Sequence, residues 1–443
     1  MKKIYSLAAA VLLSVSGYAT SAVQDNVPWT LRRCIDYAID NNISLKQQEI
    51  QVKQQEIQLN TSMNSRLPDL SASASENFSF GRGLTADNTY SNTNTTSTGF
   101  SLGTSVPVFQ GLRIRNSIKS GELNLKAVTA DLEKAKDDIR VAVAQAYVQI
   151  LYNMEILDVA RNQVMIDSLQ VVRLSEMESN GKASRVEVAQ QKAALGQSRL
   201  SETQAGNNLN LSVLDLTQLL EITDPAGFSI VRPEVGVESI PLGDPEEIYA
   251  RAVAFKPSVQ AETYRLQATD FSIKYAKGAR MPSISASGGI GTNYYTMSNG
   301  ASDTFAAQIR NNFSQYLGLS LNIPIFSGFQ TRNQIRQAEL EQDNQKLQVE
   351  SVKKSLYKEI QQAYCNAVAA AAKFRSSQDA GASAEESFEL VKAKYENGKA
   401  NITEFNESRD GYLEAQSNLA QARYEYLFTA RLLDFYRTGE LTL

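Results

Sequence analysis

The sequence predicts a mixed α and β fold, duplicated within one chain. In each half a pair of β-strands leads into a very long antiparallel helical hairpin. Three observations predict it. Ordered blocks recur at a nearly constant offset: Arg66-Leu67-Pro68 with Ser71-Ala72-Ser73 returns as Arg280-Met281-Pro282 with Ser285-Ala286-Ser287. Pro107-Val108-Phe109-Gln110-Gly111 returns as Pro324-Ile325-Phe326-Ser327-Gly328, and Asn180-Gly181-Lys182-Ala183 returns at that same spacing as Asn397-Gly398-Lys399-Ala400. The 10 prolines avoid two long stretches that carry apolar residues at alternating spacings of three and four. Finally, short segments of alternating character flank polar loops in both halves.

Met1 to Ala22 reads as a secretory signal peptide, with Lys2 and Lys3 before an apolar run from Leu7 to Val15 and small residues at Ala19 to Ala22. The chain is therefore expected to be exported, and no cysteine follows the cleavage region to carry a lipid. The first repeat then spans 23–221. It holds a helical segment over about 30–65, a β-hairpin over 67–109, a long helix over 110–179 and a return helix over 182–220. Residues 222–243, with Pro225, Pro233 and Pro241, read as a linker with a short strand at Phe228 to Val231. The second repeat, 244–443, has a helix over 244–279, a hairpin over 282–326, a long helix over 328–396 and a return helix over 400–437.

The long helices carry narrow seams for neighbouring helices. In the first half the seam is Leu125, Val128, Leu132, Ala135, Ile139, Ala142 and Ala146. In the second it is Val349, Val352, Leu356, Ile360, Ala363, Ala367, Ala370 and Phe374. Roughly 70 residues at 1.5 Å each make a rod on the order of 100 Å, far beyond globular helices of about a dozen residues. A hydrophobic fraction of 42% suits a wall one helix thick, wet on both sides. Cys34 and Cys365 read as two small buried apolar side chains, Cys365 within the Ala-rich run 363–372, although a pairing between them is open.

Composition excludes whole classes of function. The chain has no histidine, so imidazole bases, His triads and His-containing zinc sites are absent. A net charge of −4 argues against nucleic acid as a partner. No nucleophile–base arrangement, phosphate loop, metal cluster or cofactor motif is visible, which argues against an enzyme.

The strands narrow the architecture further. In Leu67–Phe80, Gly99–Phe109, Pro282–Met297 and Phe313–Phe326, dyad alternation, lengths near ten residues and long polar loops fit transmembrane β-strands. A soluble hairpin packed on the helices is the plainer alternative. Four strands cannot close a membrane barrel, and an open edge cannot sit in lipid. Three pooled copies give twelve strands, and the same symmetry closes the helices into a tube.

At this point the chain resembles the TolC-like outer-membrane efflux proteins. The resemblance rests on the duplicated plan, on the Pro-(Val/Ile)-Phe-(Gln/Ser)-Gly blocks at 107–111 and 324–328, and on Tyr395-Glu-Asn-Gly-Lys399 leading to Glu404. It implies a homotrimer whose transmembrane β-barrel lies in outer-membrane lipid and whose long antiparallel α-helical barrel extends into the periplasm of a Gram-negative bacterium. It also implies a duct for efflux or type I secretion, docked to a periplasmic adaptor and an inner-membrane pump or ABC transporter. A periplasmic coiled-coil adaptor or scaffold outside the membrane is the competing reading.

The resemblance makes the Asn-Gly turns the adaptor-docking tips: Asn180, Gly181 and Lys182, with Asn397, Gly398 and Lys399. Helix termination alone explains their glycines. Glu404 and Glu407, three apart on one helix face, match the family's constriction carboxylates, and a solvated face is the alternative. Tyr395 and Glu187 match two members of the family's closed-state links. The arginine position holds Ala400, so the gate is expected to be held differently, with Lys399 or Lys182 as weak substitutes. Phe109, Phe326 and Phe329 fall at strand-to-helix transitions and suit a membrane interface, as core packing would also allow.

Overall fold

The computed structural model describes residues 28–84, 88–225, 227–233, 242–298 and 302–441. The signal peptide expected over 1–22 and Pro241 of the linker lie outside these residues.

Thr30 caps the first helix, α1 (Leu31–Asn41), its Oγ1 accepting from Arg33 N at 3.3 Å. The segment expected as one helix over 30–65 is in fact two. Asn42 leaves helical geometry and caps α2 (Ile43–Asn64), accepting from Ser44 N at 2.9 Å. The polypeptide then forms β1 (Asp69–Ser79), a small hairpin of β2 (Arg82–Leu84) and β3 (Tyr90–Asn92) inside the loop, and β4 (Thr95–Gln110). Three-residue strands lie below any alternation signal, which is why that loop reads as irregular. The long helix α3 (Arg113–Ser179) and the return helix α4 (Arg185–Leu219) complete the half.

The second half repeats the plan. Its first helix again splits, into α5 (Pro245–Phe255) and α6 (Pro257–Gly278), because Lys256 precedes proline and is held extended at ψ 125°. There follow β5 (Ser283–Met297), a short α7 (Phe305–Asn311) in the polar loop, β6 (Ser314–Asn322), the long helix α8 (Gln330–Glu396) and α9 (Ile402–Thr438). Both α3 and α8 run for 67 residues.

Each strand-to-helix corner is turned by two successive left-handed residues, Gly111–Leu112 at φ 60° and 62° and Gly328–Phe329 at φ 57° and 64°. The recurring glycine of the Pro-x-Phe-x-Gly blocks is thereby explained. The four long strands form one antiparallel sheet in the order β1-β4-β5-β6, so the hairpins of the two halves join side by side.

The seam expected on α8 is buried at Val349, Leu356, Ile360, Ala363, Ala367 and Ala370. That expected on α3 is only half-buried throughout, and the buried positions are instead Ala127, Ala130, Val143, Ala144, Tyr147, Val148, Ile150 and Leu151. The cause is the central place of α3, which packs on α1, α2, α4, α6 and α9, so its buried face is not a single stripe. Cys34 is buried in the same cluster as Tyr147, and burial pushes its thiol up to about 12. Cys365, in contrast, is exposed, and both thiols are free. The expected burial fails there because Cys365 lies between the inward positions Ala363 and Ala367 of α8.

The linker is pinned rather than loose where it is described. Trp29 and Ile230 form a parallel bridge, and the Tyr147 hydroxyl contacts Trp29 O at 3.2 Å and Val231 O at 2.6 Å. Arg232 clamps Glu155 at 2.7 Å and Asp158 at 2.8 Å on α3.

The two helix breaks are equivalent joints. Asn42 donates to Leu219 O at 3.1 Å at the end of α4. Lys256 sits at the end of α9, buried, with its Nζ 3.2 Å from Asp137 Oδ2 and 4.0 Å from the Phe435 ring centroid. Lys256→Met is expected to lower stability by about 2 kcal/mol, from the lost ion pair and cation–π contact. Chemical denaturation should show it, with Lys256→Arg retaining part of the stability.

Candidate functional site

Two regions carry the candidate residues: the far end of the helical hairpins and the sheet. At the far end both long helices stop in the same way. Asn180 Nδ2 donates to Glu176 O at 2.7 Å, Gly181 turns left-handed at φ 68°, and Lys182 N donates to Met177 O at 2.8 Å. In the second half Asn397 Nδ2 donates to Ala393 O at 2.7 Å, Gly398 has φ 71°, and Lys399 N donates to Lys394 O at 2.8 Å. These are Schellman endings, so helix termination accounts for both asparagines as well as both glycines. Lys182 and Lys399 extend from the turns and are exposed.

The return helices begin with caps. Ser184 and Glu187 form a reciprocal capping box, with Ser184 N donating to Glu187 Oε2 at 2.7 Å. Asn401 Oδ1 accepts from Glu404 N at 2.9 Å. Glu187 and Glu404 are thus equivalent cap residues, with the acid near the positive end of a helix. Glu407 lies one turn beyond Glu404, and both are exposed.

Tyr395 is half-buried, stacked on Phe405 with ring centroids 4.9 Å apart, and its hydroxyl accepts from Gln170 Nε2 at 2.6 Å. Desolvation holds its hydroxyl above the usual tyrosine range, Arg173 opposes that, and the Glu187 charge reinforces it. The cation beside Tyr395 is therefore Arg173, with its guanidinium carbon 5.3 Å from the ring centroid. Lys399 and Lys182, expected as weak substitutes at the gate, are exposed at the turns, and Arg173 approaches Tyr395 from α3.

Deeper in the wall lies a charge pair that sequence reading missed. Asp167 of α3 has no exposure, and Arg409 of α9 has 3%. Arg409 Nη1 donates to Asp167 Oδ1, while Gln191 Nε2 at 3.1 Å and Ser198 Oγ, both on α4, donate to the same carboxylate. Arg409 is held from its other side by Asp410 at 2.8 Å. One buried carboxylate thus joins both helices of the first hairpin to the return helix of the second. The signal was a charge in an inward position: Asp167 aligns with Leu157, Ala160, Gln170 and Leu174, and Arg409 with Phe405 and Leu413.

The sheet separates its residues by face. Paired positions Ala72–Leu102–Ile290 and Ala74–Phe100–Thr292 continue through Leu317, Leu319 and Leu321 as one apolar face. The opposite face carries Ser71, Ser73, Ser101, Gly103, Ser287, Gly289 and Ser320, with Ser73 and Ser101 hydroxyls 2.7 Å apart. α7 lies over the Thr292 end of this face, where Thr292 Oγ1 donates to Ile309 O at 2.6 Å, and among the described residues the β6 part is uncovered: Leu317 is 91% exposed and Leu319 74%. Phe109, Phe326 and Phe329 are exposed at 37, 76 and 54%, with the last two in edge contact at 5.5 Å. Core packing does not account for them. No helix among the described residues is long and apolar enough to cross a membrane.

Helices of 67 residues continuing from an open sheet with one apolar and one largely polar face define the class: a mixed α and β fold in which long helical hairpins carry an amphipathic antiparallel sheet. Comparison with known proteins gives the particular family. The family model for outer membrane efflux proteins matches residues 34–221 and 248–435, one match for each half, and the chain belongs to that family. Among curated relatives it is 26% identical to the outer membrane protein OprJ of Pseudomonas aeruginosa over 89% of this chain and 83% of that one. It is 23% identical to the efflux protein BepC of Brucella suis, over 98% and 90%. TolC of Escherichia coli is also 23% identical, over 96% and 84%. Among solved structures, the Campylobacter jejuni CmeC outer membrane channel superposes with a TM-score of 0.78 at 20% identity, over 92% and 85% of the two chains. The open state of the Neisseria gonorrhoeae MtrE channel gives 0.71 at 18%, over 92% and 88%. The protein is an outer membrane efflux protein, and the family is one of transport proteins.

Proposed function

We propose that three copies of this chain close into one duct. Its twelve-stranded barrel lies in the outer membrane, and its helical tube carries cargo across the periplasm from an inner-membrane pump or ABC transporter held by a periplasmic adaptor. One observation carries the reading: among the described residues β1 and β6 are both free edges of a sheet whose apolar face is bare along β6, an arrangement that lipid tolerates only in a closed ring. The competing adaptor reading loses its ground, because the chain carries this sheet where an adaptor would carry lipoyl-like and small barrel domains.

In this reading the exposed lysines Lys182 and Lys399 are the ends that meet the adaptor, while Asn180, Gly181, Asn397 and Gly398 shape the turns that present them. Glu404 and Glu407 form rings of carboxylates at the constriction, with Glu187 and Tyr395 beside them, and Phe109, Phe326 and Phe329 lie at the periplasmic edge of the lipid. The Asp167–Arg409 pair takes the part that the missing tip arginine leaves open, holding α9 against the first hairpin.

Charge removal tests the constriction. Glu404→Gln with Glu407→Gln is expected to lower the cation selectivity of single channels in planar bilayers, because rings of carboxylates attract cations. Unchanged reversal potentials would remove these residues from the bore.

A further inference from the structure

Resting on the three-copy reading, we infer the register in which β6 of one copy pairs with β1 of the next: Ser320 opposite Ser75 of the partner subunit, with Asn322 opposite Ser73 of the partner subunit. The chain's own duplication supplies it. The β4–β5 ladder is the junction between the two halves inside one copy, with Gly103 opposite Gly289, Leu102 opposite Ile290 and Phe100 opposite Thr292. In a ring where first and second halves alternate, the junction between copies is built from the equivalent strands. The recurrence of Pro107 as Pro324 sets β6 against β4, and the recurrence of Arg66 as Arg280 sets β1 against β5. The fold keeps the second correspondence, since β1 begins at Asp69 and β5 at Ser283, each three residues after its arginine.

Carrying the ladder across with these two correspondences also puts Leu321 opposite Ala74 of the partner subunit, and Leu317 opposite Phe78 of the partner subunit. The faces agree: the leucines fall opposite apolar-face positions, and Ser320 and Asn322 fall opposite serines of the polar face. A slip of one residue would turn every leucine into the bore. A slip of two would keep the faces, so the repeat spacing is what singles out this register.

A second contact points the same way. At the base of the in-chain junction, Gly111 is pressed on Gly278: a Cβ on Gly111 would lie 2.3 Å from Gly278 O. The equivalents of these two residues are Gly328 and Asn64. Gly328 has the same left-handed backbone at φ 57° but nothing within 4 Å, the open half of a contact that a neighbouring α2 end would complete.

The test is disulfide trapping in outer membranes of cells making the full chain, in a Cys365→Ser background that removes the exposed thiol; Cys34 is buried. Ser320→Cys is combined with Ser75→Cys, and in two controls with Ser73→Cys or Asn77→Cys. Directly opposed residues have Cβ atoms about 4.5–5.5 Å apart and diagonal ones about 7–8 Å, while a disulfide needs about 3.5–4.5 Å. The first pair is therefore expected to oxidise to a covalent trimer on a denaturing gel, and the controls to remain mostly monomeric. A trimer by light scattering in which a control closes in preference, or in which no pair closes, overturns the register and leaves the three-copy reading standing. A monomer by light scattering overturns both.

Discussion

Arg409→Met is expected to leave the periplasmic mouth open, seen as a several-fold rise in single-channel conductance and as uptake of large hydrophilic antibiotics that the parent channel excludes. The Asp167 carboxylate has no solvent exposure, and Arg409 is its counter-charge. With the guanidinium gone, Gln191 and Ser198 still donate to it, but its full charge stays buried, at a cost of about 3–5 kcal/mol. The cheapest relief is to let water in, and the interface that can part is the one Arg409 closed, between α9 and the first hairpin. A bias of that size moves an equilibrium between closed and open mouths by roughly two to four decades. A variant that merely failed to fold would yield no channels at all. For that reason the double variant Asp167→Leu with Arg409→Met is informative: replacing a buried pair by apolar residues is often neutral or stabilising, so it should restore the low conductance. If Arg409→Met assembles and keeps the parent conductance, the pair is not the latch.

The buried pair also shows where sequence reading reaches its limit. The long helices were legible because their periodicity extends over many turns and proline avoids them. The corners were legible because the duplication shows the same Pro-x-Phe-x-Gly block twice. Legibility fails where one residue serves several neighbours at once. α3 touches five other helices, so its buried face runs from Ala127 and Ala130 to Val143, Tyr147 and Ile150, off the stripe at Leu125, Val128 and Leu132. Asp167 and Arg409 lie 242 residues apart, and nothing local distinguishes a charge on an inward position from one on a wet face. Asn42 and Lys256 split helices that composition reads as continuous, because what they cap or meet is the far end of another helix. The tip residues Asn180, Asn397, Glu187 and Glu404 present the converse case. Their sequence pattern is plain, and the structure gives each a local capping task beside any role at the mouth of a duct.

Gly111→Val is expected to abolish assembled channel in the outer membrane, and two companion variants separate the reasons. Gly111 is left-handed at φ 60°, a conformation that costs an L-residue about 1–2 kcal/mol. Gly181→Ala at the hairpin tip, at φ 68° with nothing within 4 Å, should incur that cost alone and assemble normally. Gly278→Ala isolates the other component. Its backbone is an ordinary helical one, but the added Cβ would lie 2.5 Å from Gly111 O, against main chain that no rotamer change can move aside. The end of α6 would have to retreat from the β4–α3 corner, which is where the sheet passes into the long helix. In the proposed ring of three copies each would carry that displacement, so the strands could not close at the same radius as the tube beneath them. Trimer recovered from membrane fractions should accordingly fall steeply for Gly111→Val and Gly278→Ala together, and hardly at all for Gly181→Ala. Should Gly278→Ala assemble like Gly181→Ala, the corner has slack that the glycine contact denies, and the coupling between barrel and tube must lie elsewhere in the wall.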